Sequence, residues 1–147
     1  MTFKDINKLL QPIKRKIFLT IGRGVIDAIN NSEKTQKLQT TALSGEPITD
    51  MERLQNYGFE SYPVPANCEH LFVCVNGNRD QGVSIVVSDR ENRPSGMEEG
   101  ETQMYCIFGQ KLYFKKDGTF YLEDGNGNYI KSTSDLIDIN GNHTVNK

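Results

Sequence analysis

The residue types best suited to chemistry are sparse in this sequence and do not converge on an obvious centre. Cys68-x-His70-x3-Cys74 places three potential metal ligands within one short stretch, and His143 is the only other imidazole. A structural zinc site takes four ligands folded around one ion. No fourth is evident here, and Cys74 falls in an apolar run that reads as a strand, so the triplet is not assigned to zinc. With Cys106 the cysteines number three and include no C-x-x-C pair, which argues against a disulfide framework and for buried free thiols. His143 would supply one imidazole per chain, an incomplete ligand set, so the expectation is no metal, with His143 as the single candidate. The 19 acidic residues fall mainly in turns, and neither G-x-S-x-G nor H-E-x-x-H occurs. The reading is a non-enzyme with no catalytic residues and no resident cofactor.

Composition narrows the remaining classes. A chain of 147 residues with net charge −2 has no basic field to hold a polyanion, which argues against a nucleic-acid partner. Hydrophobic content of 36%, mean hydropathy of −0.55 and 13 glycines describe a turn-rich chain, part of which is thinly packed. There is no apolar run long enough to span a bilayer and no apolar core of a secretory signal near Met1. Synthesis and retention in the cytosol until assembly is the corresponding expectation.

Several elements are readable from periodicity. From Asp5 to Ile17, the residues Ile6, Leu9, Leu10, Ile13 and Ile17 recur at helical steps, with Pro12 expected to kink or divide the helix. Lys4, Lys8, Lys14, Arg15 and Lys16 cluster there, and docking on a partner or on the rest of the chain is favoured over a membrane surface. Thr20–Asn30 and Gln36–Leu43 read as two strands of a hairpin. Ser44–Asn67 carries three of the five prolines and reads as a long loop, with a helical turn at Met51–Tyr57. Leu71–Asp89 reads as a hairpin at the centre of a small barrel. In its first strand Leu71, Val73 and Val75 oppose Phe72 and Cys74; in its second, Val83, Ile85 and Val87 form the apolar face and Ser84 and Ser88 dilute the other.

Arg90–Gly100 is charged, punctuated by proline and glycine, and reads as a boundary. After it, short extended pieces alternate with Asp117-Gly118, Asp124-Gly125, Asn126-Gly127 and Asn140-Gly141. These strands are too short and too polar to offset their ordering entropy in a single chain. Either the tail is disordered, or copies of it wind together so that inward residues meet on an axis. The regular recurrence of the turns favours the second. Leu112, Phe114, Phe120, Leu122, Ile130, Ile137 and Ile139 are the candidates for packing between copies, with Lys131 pointing outward.

The stretches IGRGVIDAINNSEKTQKLQ, ERLQNYGFESYPVP, VNGNRDQGVSIVVSDRENRP and GQKLYFKKDGTFYLED, in that order from about Thr20 to Asp124, resemble the central spike proteins of Mu-like contractile-tailed phages, the baseplate assembly protein V group. GNRDQG followed by an apolar strand carries most of the resemblance. What it implies is an all-β chain: an OB-type β-barrel followed by a short trimeric intertwined β-helix. With the N-terminal helix, the expected division is 1–19 docking segment, 20–95 barrel and 96–147 spike. The resemblance further implies a homotrimer in the virion, at the tip of the tail baseplate, whose partners are the baseplate hub and tail tube proteins. Its action on the host outer membrane would be mechanical, piercing it on sheath contraction. Family members carry a His-x-His apex able to bind iron; His143-Thr144-Val145 has no second histidine. The alternative is an OB-type module binding oligosaccharide or single-stranded nucleic acid, for which Tyr57, Phe59 and Tyr62 offer stacking rings beside the acidic Asp50, Glu52 and Glu60.

Overall fold

The structure, a computed structural model, describes residues 3–42 and 45–141. The chain divides into two compact units, Met1–Arg93 and Pro94–Lys147.

The first unit opens with α1 (Phe3–Phe18), which contains Pro12 without being divided by it. Five strands follow: β1 (Ile21–Asn30), β2 (Lys37–Ala42), β3 (Pro47–Arg53), β4 (Cys68–Cys74) and β5 (Gly82–Asp89). They close in the order β1-β2-β3-β5-β4, with β3 and β5 parallel and the other pairs antiparallel. This is a small closed barrel of the OB class, and closure leaves no free sheet edge. Its core is Ile26, Leu38, Ala42, Ile48, Met51, Cys68, Phe72 and Cys74, with Ile29 and Val87 packed against it. Gly22 on β1 faces the ring of Phe72 on the adjacent β4, and the ring fills the space a β-carbon there would need.

Three bulges bend the strands around this core, and they account for the places where the structure departs from the sequence reading. In β1 the register slips at Asp27, so Ile26 and Ile29 both turn inward although they are three residues apart. In β3 it slips beside Asp50, whose φ is 56°, so Ile48 and Met51 are both buried. The expected loop from Ser44 is therefore a strand over Pro47–Arg53, and no helical turn forms at Met51. In β5 the pairing skips Ile85, so Ser84 and Val87 face inward while Ile85 and Val86 are exposed. The face assigned to Val83, Ile85 and Val87 is accordingly broken, and Ser84 belongs to the interior. On β4 the buried face is Cys68, His70, Phe72 and Cys74. The expectation of buried thiols fails at Cys106, which is exposed.

The second unit is a five-stranded antiparallel meander of β6 (Thr102–Tyr105), β7 (Lys111–Phe114), β8 (Phe120–Glu123), β9 (Tyr129–Ser132) and β10 (Ile137–Asn140). Each strand has four residues; glycines with positive φ at 109, 118, 125 and 127 make the first three reversals, and the β9–β10 turn is closed without glycine by the Thr133 amide donating to the Leu136 carbonyl.

Candidate assembly face

Register decides what the meander can do. Thr102, Phe114, Phe120, Ser132 and Ile137 pair in one row across the sheet, and Met104, Leu112, Leu122, Ile130 and Ile139 in another. These two rows are two residues apart on every strand, so they share one face. The seven residues selected from the sequence therefore lie side by side, and Met104 joins them. Their surroundings leave them uncovered: Ile137 is 67% exposed, Met104 and Ile139 are each 51% exposed, and only Leu112 and Phe120 are partly shielded. Phe114 and Phe120 touch across the β7–β8 pair with ring centroids 5.5 Å apart.

The opposite face has the reverse character. It carries Gln103, Tyr113, Tyr121, Lys131 and Asp138 in one row and Tyr105, Lys111, Glu123, Tyr129 and Asn140 in the other. Several of its polar groups already have partners. Tyr113 donates its hydroxyl proton to the Glu101 carboxylate, a bond that pushes the Tyr113 pKa up to about 12. Tyr129 donates to Asp138 at 2.9 Å, Lys111 pairs with Glu123 at 2.6 Å, and Tyr121 stacks on Tyr129. A sheet with one solvated, tyrosine-rich face and one bare aliphatic face is half of a sandwich.

The turns hold this register. Asp117 accepts the Thr119 amide at 2.9 Å, and Asp124 accepts the Asn126 and Asn128 amides at 2.7 and 3.1 Å together with the Asn128 side chain. These bonds hold both carboxyls below their usual pKa, the chief causes being the Thr119 amide for Asp117 and the Asn128 side chain for Asp124.

The other sequence candidates lie apart from this face. Cys68 and Cys74 stand at opposite ends of β4, roughly 20 Å apart by strand rise, too far for one ion to touch both. Burial pushes both thiols up, and among the described residues no three His, Cys, Asp or Glu side chains converge as ligands. His143, the single metal candidate from the sequence, lies outside the described residues. Tyr57, Phe59 and Tyr62 sit exposed on the β3–β4 loop, which is tied to the barrel by Arg53 donating to the Ser61 carbonyl at 2.7 Å and to Gln36 at 2.6 Å. GNRDQG makes up most of the β4–β5 connection, which holds two short 3-10 turns: Val75–Gly77 packs against the end of α1, and Arg79–Gln81 against β3 and β4. Gly77 there comes so close to the Lys16 backbone that a side chain would strike it.

Residues 23–91, nearly the whole barrel, match the family described as Bacteriophage Mu Gp45, N-terminal. The chain is also 42% identical over 113 residues to the "Baseplate puncturing device gp45" of Escherichia phage Mu. Over its barrel this chain matches the Mu gp45 family. The alignment covers 77% of this chain and 57% of that phage protein. The "Mu-like prophage FluMu protein gp45" of Haemophilus influenzae is 36% identical over 113 residues, again 77% of this chain and 61% of the relative. The chain thus spans somewhat under two thirds of the gp45 relatives it matches.

Proposed function

We propose that this protein is a non-enzymatic structural component of a phage-type contractile-tail baseplate, acting as a homotrimeric central spike. The observation that carries this reading is the uncovered apolar face of the second unit. Three copies of one half-sandwich, each turning its aliphatic face to a common axis, would cover all three faces with no further protein, and closed symmetry would prevent open-ended growth. Completing the burial of a half-exposed Leu or Ile contributes roughly 1–2 kcal/mol, and each chain brings eight such large apolar residues, counting Met104.

The mechanism in this reading is mechanical. Short strands locked by Asp-anchored turns, with tyrosines and charges outside and aliphatic groups inside, give a stiff rod that transmits axial load from a contracting sheath to a host outer membrane. The barrel attaches the rod to hub and tube proteins. No cofactor takes part, and no step runs through a metal. The relative from phage Mu, named a baseplate puncturing device, supports the same reading.

Native mass spectrometry of the full chain tests it. A trimer that dissociates on truncation after Gly100 is expected. A monomeric full chain at micromolar concentration would overturn the spike reading, and a trimeric truncation would move the interface into the barrel.

A further inference from the structure

The helix α1 turns its polar side to its own barrel and its apolar side away from it. Lys8, Gln11, Pro12, Arg15 and Lys16 line the groove between the helix and residues Asn76–Asp80. At 100° per residue the centre of that set lies nearly opposite the stripe formed by Phe3, Ile6, Leu10, Ile13 and Ile17. None of these five is buried, and their exposure runs from 40% at Ile6 to 88% at Phe3. The seat that holds the helix in this orientation is specific. Thr20 donates its hydroxyl proton to the Lys16 carbonyl at 2.7 Å, and the missing side chain of Gly77 admits the Lys16 backbone.

The stripe has a pattern that selects its occupant. Its steps are three, four, three and four residues, the a/d alternation of a helix that packs on other helices, with Phe3, Leu10 and Ile17 at a and Ile6 and Ile13 at d. On a lipid surface the same spacing would be flanked by cations free to reach the headgroups, whereas Lys8, Arg15 and Lys16 line the groove on the barrel side. Isoleucine at d disfavours a two-stranded parallel pairing and shifts the preference to three or more strands. In a parallel bundle Leu9 of one helix falls against the aliphatic stem of Lys14 on the next, so these flanking positions bring no like charges together.

We propose that α1 packs against the α1 helices of other copies of this chain, forming a short parallel three-helix bundle. This inference rests on the trimer reading above. A 16-residue helix offers too few heptads to hold chains together alone, and tethering by a trimer raises its effective concentration into the millimolar range.

Cysteine cross-linking in the full chain tests it. In a Cys106→Ser background, Ile13→Cys is compared with Lys8→Cys on the barrel-facing side, and each variant is also weighed by native mass spectrometry. Under mild air oxidation the expected result is trimers in both cases, with disulfide-linked dimers forming at position 13 at least roughly tenfold faster than at position 8, because only position 13 brings sulfurs of different copies within bonding geometry. Trimers that cross-link no faster at 13 than at 8 would overturn the bundle and leave the spike reading intact. If such trimers also co-sediment with phosphatidylglycerol vesicles, lipid occupies the stripe instead. A monomer would remove this inference together with the reading it rests on.

Discussion

Nδ1 of His70 lies 3.1 Å from the hydroxyl of Ser84, both side chains buried in the barrel on adjacent strands. The other ring nitrogen has no hydrogen-bond partner, and the ring of Phe72 stacks on the imidazole at 5.2 Å. Burial lowers the His70 pKa from 6.5 to about 4, against a small opposing pull from Asp27. The imidazole is therefore neutral in the folded barrel at neutral pH.

A pH dependence with a defined sign follows. A lowered folded-state pKa means the unfolded chain binds the extra proton first, so stability is complete above pH 6.5 and falls as pH drops toward 4. The full loss below that window is about 3 kcal/mol. Denaturant titrations between pH 7.5 and 4.5 should show this slope, and His70→Gln should flatten it. An unchanged slope in the variant would assign the effect elsewhere. The lowered carboxyls of Asp89, Asp117 and Asp124 start from a reference of 3.8 and so lose their contribution at lower pH, outside this window.

Gly22 should not tolerate a side chain. The ring of Phe72 occupies the volume that a β-carbon would take, and Phe72 is fully buried. Gly22→Val should cost about 1–3 kcal/mol through overpacking. The paired change Gly22→Val with Phe72→Leu should recover part of that loss in thermal denaturation, because the shorter side chain vacates the site.

The two faces of the second unit should respond oppositely to charge. Leu122→Asp places three carboxylates together in the proposed apolar interior, an unpaired burial costing several kcal/mol per trimer, on the order of the penalty for stranded charges. Light scattering should then report monomer. Lys131→Asp lies on the solvated face, opposite Tyr121 and Asp138, and should leave the oligomer intact at a cost of about 1 kcal/mol or less from the like charge across the strand.

Gly77→Ala separates the helix from the barrel. Its φ is 68°, and a methyl group there would strike the Lys16 backbone. Amide exchange should accelerate over Phe3–Phe18, with protection in β1–β5 unchanged. Loss of barrel protection as well would show that the seat of α1 is part of the barrel's own stability.

How far the sequence could be read depended on whether alternation survived folding. In the meander it did: Leu112 with Phe114, Phe120 with Leu122, and Ile137 with Ile139 keep strict period two between glycine turns, and all of them lie on one face. Met104 was missed because Tyr105, Cys106, Ile107 and Phe108 follow it without alternation. In the barrel the pairs Ile26 and Ile29, Ile48 and Met51, and Ser84 and Val87 are spaced by three across bulges, a spacing that imitates a helix or hides a strand. The helix was legible in its period. Its seat on Gly77 had no signal beyond an unexplained glycine in a polar turn.

Every ladder of the meander joins consecutive strands, whereas the barrel closes only when Ile21 finds Val73. Local hairpins form within microseconds, and non-local closure is slower by orders of magnitude. In the trimeric reading the faster segment nevertheless finishes last, because its product stays uncovered until chains collide. Refolding should therefore begin with a concentration-independent phase from barrel closure and end with one that accelerates as protein concentration rises. Over Glu101–Gly141 the rate of acquiring structure would then be set by encounter between chains, not by the chain's own search.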